Sequence, residues 1–112
     1  MVAAVIELKS WMGTHQHFMI GETPSEIIEK FEDIQDLHCL ARMGRQREET
    51  AEGQKALDKL DAFLKKVDSG RLTLRDIMKF SFQLEVGSFR CLGIAIDGEA
   101  IERLKKSYPN AG

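Results

Sequence analysis

His15-Gln16-His17 is the one H-x-H in the chain. On a β-strand, residues i and i+2 point to the same face, so this spacing lets both imidazoles reach one divalent ion. Two nitrogens are only part of a zinc ligand set, and the remainder must come from elsewhere in the fold. Glu22, His38 and Cys39 are the residues that can be imagined completing it. The plain alternative is two ordinary histidines on an exposed strand or loop.

A second group is the basic cluster Arg42, Arg45 and Arg47, near Lys55. Such a cluster can contact phosphate or an acidic partner. Glu48, Glu49 and Glu52 follow at once and offset it, and no aromatic residue is interleaved for base stacking. Nucleic acid is therefore the lesser reading. The bland one is a solvated helix end whose charges complement the macrodipole. Trp11, Met12, Phe18 and Met19 form a third group, read either as core or as an adaptable apolar contact surface.

Catalytic signals are incomplete. His38 and Cys39 are adjacent on an expected helix, and neighbours one position apart do not face each other. Carboxylates alternate with lysines, and nothing marks out a pair whose pKa values are pushed apart. The chain has no Walker A, no G-x-G-x-x-G and no G-x-S-x-G. No catalytic residue is assigned and no cofactor is expected. A divalent metal on His15 and His17 is the alternative.

These residues must be positioned by a small set of elements. Val2 to Trp11 has the apolar, β-branched character of a strand, Gly13-Thr14 breaks it, and His15 to Ile20 can return as a second. Thr23-Pro24-Ser25-Glu26 is a capping box with proline at the first helical position. The stripe Ile27, Ile28, Phe31, Ile34, Leu37 and Ala41 predicts a helix over 24–43, stopped near Gly44. Residues 45–53 read as a polar linker or a frayed extension of that helix. Leu57, Leu60, Leu64 and Val67 then predict a helix over 54–67, ending at Gly70.

Thr73 to Asp76 is a cap for a short third helix. From Lys79 the period changes to two, with Phe80, Phe82, Leu84 and Val86 on one face. Gly87-Ser88 is a usable hairpin turn. The return strand would carry Leu92, Ile94 and Ile96 on one side and Phe89, Cys91 and Ala95 on the other. A single long helix over 73–96 competes, but Gly87, Ser88 and Gly93 in its interior oppose it. Asp97 is an N-cap for a last helix ending before Pro109.

The expected class is α+β. A small antiparallel sheet, made of an N-terminal strand or hairpin plus a hairpin over 79–96, packs against two to four helices lying on one of its faces. A mainly-α bundle is the alternative. The 112 residues, with net charge −2, 43% apolar and 30% charged, fit one domain over 1–112. Cys39 and Cys91 are too few for a disulfide framework. No apolar run nears the ~18–20 residues of a membrane span, and the first residues lack the pattern of a signal peptide. A cytoplasmic protein without membrane contact is expected.

The functional expectation is a non-catalytic protein-interaction or regulatory domain. Its partner is another protein or a second copy, because edge strands of small antiparallel sheets invite pairing. Two alternatives stand beside it. One is a small metal- or ligand-binding domain or enzyme using His15 and His17. The other is nucleic-acid binding through Arg42, Arg45 and Arg47.

Overall fold

The computed structural model describes residues 1–11, 13–29, 34–84 and 87–112. The chain is an α+β fold. Its strands are β1 (Val2–Ser10), β2 (Gly13–Gly21), β3 (Ser81–Leu84) and β4 (Gly87–Ala95). Its helices are α1 (Pro24–Glu29), α2 (Ile34–Arg47), α3 (Ala51–Asp68), α4 (Leu74–Lys79) and α5 (Gly98–Ser107). The strands form one antiparallel sheet in the order β2-β1-β4-β3. Among the described residues no helix is long and apolar enough to cross a membrane.

Local chemistry accounts for the helix starts. The amide of Glu26 donates to the Thr23 hydroxyl at 3.1 Å. Thr73 and Asp76 form a complete reciprocal capping box. The carboxylate of Asp97 accepts from the amide of Ala100 at 2.8 Å. Each satisfies an amide that the first helical turn leaves without a partner.

Several boundaries differ from the sequence expectation. The N-terminal turn lies between Ser10 and Gly13, which pair with each other, so Gly13 and Thr14 belong to β2. Gly13 has φ +106°, a conformation that side chains other than glycine's disfavour. Gly44 does not stop its helix. It lies buried inside α2, where a Cβ would come within 2.6 Å of Leu57 Cδ2. Gly44 is therefore the seat of the α2–α3 contact. Thr50 caps α3, so the polar linker shrinks to residues 48–50. Within the expected apolar stripe of the first helix, Ile27, Ile28 and Ala41 are buried. Phe31 and the side chains of Ile34 and Leu37 fall outside the described residues.

The long helix over 73–96 does not form. The hairpin does, with Leu84 opposite Gly87 and Phe82 opposite Phe89. Gly87 and Ser88 are thus strand residues rather than the turn, and Val86 falls outside the described residues.

The helices occupy both faces of the sheet, not one. The main core joins Ala4, Ile6, Leu8, Met19 and Phe89 of the sheet to α1, α3 and α4. A second core joins Ala3, Val5 and Ala95 to Ile101 and Leu104 of α5, with Phe18, Leu92 and Tyr108 around it. The reason lies in β1, whose Ala3 to Ile6 are all fully buried, so successive side chains need cover on opposite faces.

A β-bulge also divides β4. Val5 pairs with Gly93 and Ile6 with Cys91, which leaves Leu92 as the extra residue. An extra residue reverses the side-chain alternation beyond it. Phe89, Cys91 and Ile94 therefore share the main-core side, while Leu92 and Ala95 face α5. Ile96 is exposed.

Candidate functional site

The histidine pair sits on β2, which pairs with β1 along its whole length and is the outermost strand of the sheet among the described residues. His15 lies opposite Leu8, His17 opposite Ile6, and Met19 opposite Ala4. All three therefore point to the main-core side of the sheet. Burial deepens along the strand: His15 is exposed, His17 half-buried and Met19 buried in the core. The two imidazole centroids are 6.2 Å apart with planes tilted by 60°.

A groove of about 610 Å³ runs along this edge. His15, His17, Met19 and Ile27 line it, with Asn110 and Gly112 at its rim. The chain's own last segment is seated on the strand. The amide of Gly112 donates to the Gln16 carbonyl at 3.2 Å, and the amide of Phe18 donates to the Gly112 carbonyl at 3.1 Å. These two bonds flank His17 in the pattern of a parallel strand pair. They also identify the outward polar groups of β2, which alternate along a strand and so belong to its even-numbered residues.

The opposite face of β2 is bound to the rest of the sheet. Gln16 Nε2 donates to Glu7 Oε2 at 3.2 Å, and Arg90 Nε donates to Glu7 Oε1 at 3.0 Å. The Arg90 bond chiefly, then the Gln16 bond, hold the Glu7 carboxyl below its ordinary range. Phe18 packs into the second core, with Lys105 Nζ 5.6 Å from its ring centre. Its ring is half-buried there, and Phe18 also lines the groove along β2. Trp11 remains 53% exposed at the hairpin end, and Met12 falls outside the described residues.

The other candidate residues lie elsewhere and are engaged separately. His38 borders a groove between α2 and α3 with Arg42, Arg45 and Asp61. Arg42 Nη2 donates to Cys39 Sγ at 3.3 Å. Arg45 forms an ion pair with Asp61. Arg47 is exposed. Cys91 donates to the Gly93 carbonyl at 3.5 Å, and burial pushes its thiol pKa up. Both cysteines are free thiols. Among the described residues no group of three or more metal-ligating side chains is assembled, so neither Glu22, His38 nor Cys39 completes a site with His15 and His17.

A second, wider groove of about 850 Å³ lies over the β3–β4 end of the sheet. Lys9, Lys55 and Lys59 line it, but Glu7 and Glu52 share its walls.

The sequence reading expected edge strands to invite pairing but did not identify β2 as the edge that carries the histidines. Its signal was present: residues 13–21 contain no charged residue and no proline. The seating of Gly112 on that edge had no sequence signal. No family model, curated protein or solved structure matches the chain.

Proposed function

We propose that the chain is a non-catalytic interaction domain that works by strand pairing at the β2 edge, with a second copy of itself as partner. The observation that carries this reading is the backbone pairing of Gly112 with Gln16 and Phe18. An extended segment already uses the outward groups of β2, so the edge accepts added strands.

Three features support the reading. β2 is nine residues long and lacks the lysines, prolines and bulges that commonly block edge pairing. Without charges, two antiparallel copies meet no like-charge repulsion. A two-fold arrangement also closes on itself and needs no other component. The shifts of Glu7, Asp76 and Cys91 each follow from a structural hydrogen bond or from burial.

Sedimentation velocity across a concentration series tests this. A monomer–dimer equilibrium is expected, and Thr14→Pro should abolish it with the far-ultraviolet circular dichroism unchanged. Proline at an outward position removes an edge donor without touching the β1–β2 ladder. A chain that stays monomeric at every concentration argues decisively against the reading.

A further inference from the structure

Resting on the strand-paired dimer just described, we propose that His15 and His17 form half of a divalent transition-metal site that the second copy completes. The two rings share one face of the outermost strand, with centroids 6.2 Å apart. Imidazole nitrogens bind zinc at ~2.0–2.1 Å, so both rings turn toward a shared ion when it binds. Within one chain the set stops at two, because no third described ligand converges there.

Pairing through the even-numbered groups of β2 leaves its odd-numbered residues as the close, non-hydrogen-bonded pairs, with Cβ atoms ~4.5–5.5 Å apart. In a two-fold register centred on Gln16, His15 lies opposite His17 of the second copy, and His17 opposite His15 of the second copy. Four imidazoles then gather on one face, which suits tetrahedral zinc and also nickel or copper. The same register requires Gly112 to leave the edge, at the loss of its two hydrogen bonds.

The test is sedimentation velocity on the untagged full chain, in chelator and in zinc, with native mass spectrometry for stoichiometry. We expect one zinc per two chains. Dimerisation should tighten ~100-fold when free zinc stands ~100 times above its dissociation constant. His15→Gln, which keeps every backbone pairing group, should remove the zinc response. A dimer indifferent to both zinc and chelator overturns the metal site and leaves the interaction reading standing. A monomer in both conditions overturns both. One zinc per single chain overturns completion by the second copy.

Discussion

The Tyr108 hydroxyl donates to the Leu92 carbonyl at 3.2 Å, tying the end of α5 to the bulge of β4. The same tyrosine packs against the second core, so one side chain both covers the sheet and engages a carbonyl at its irregular point. Tyr108→Phe keeps the ring and removes the bond. A half-buried bond of this kind contributes ~0.5–1.5 kcal/mol. Urea unfolding should show a lower midpoint with an unchanged slope. An unaltered midpoint would show that water replaces the hydroxyl there.

Two glycines should respond in opposite directions to alanine. At Gly44 a Cβ would approach Leu57 Cδ2 to 2.6 Å and Leu84 Cδ1 to 3.2 Å, both in the main core. Alanine gains ~1 kcal/mol in helix propensity, but overpacking a core costs ~1–3 kcal/mol. Leu57 is only 2% exposed and has little room to yield, so Gly44→Ala should destabilise. At Gly98, in the first turn of α5, nothing lies within 4 Å. Gly98→Ala should stabilise by ~0.4–1 kcal/mol. Thermal unfolding of the two variants beside the parent decides both.

Acid should weaken the fold through Glu7 and Asp76. Arg90 and Gln16 hold Glu7 below its ordinary 4.5, and Lys66 and the Thr73 amide hold Asp76 below its ordinary 3.8. A carboxyl with a depressed folded pKa contributes its full stability above the unfolded value. That contribution is lost as pH falls through the folded value. Arg90→Gln should raise the Glu7 pKa in a side-chain carboxyl NMR titration. Asp76→Asn should flatten the acid limb of the stability–pH curve.

The seated tail competes for the edge that self-pairing needs. Gly112→Pro removes the amide that donates to the Gln16 carbonyl. It should therefore tighten self-association, read as a lower dimer dissociation constant by sedimentation. Weaker association would mean that the tail belongs to the interface rather than opposing it.

Where local chemistry decides, the amino-acid order is enough. Thr73-Leu74-Arg75-Asp76 closes its own capping box, Asp97 caps α5, and the period-two run from Phe80 marks a strand, because each signal acts within a few residues. His15 and His17 were likewise legible as a same-face pair, since strand geometry alone aligns i and i+2.

Tertiary structure decided everything that depends on what lies across the sheet. Gly44 reads as a helix stop until Leu57 is found against it. The two sides of β4 read as one alternation until the bulge at Leu92 reverses it, and a bulge exists only relative to a partner strand. The placement of α5 opposite the other helices follows from β1 being buried on both faces. The histidines gained their setting in the same way. Their spacing is local, but the order β2-β1-β4-β3 is what places them on the outermost strand, because strand order is set by long-range burial and no local signal encodes it.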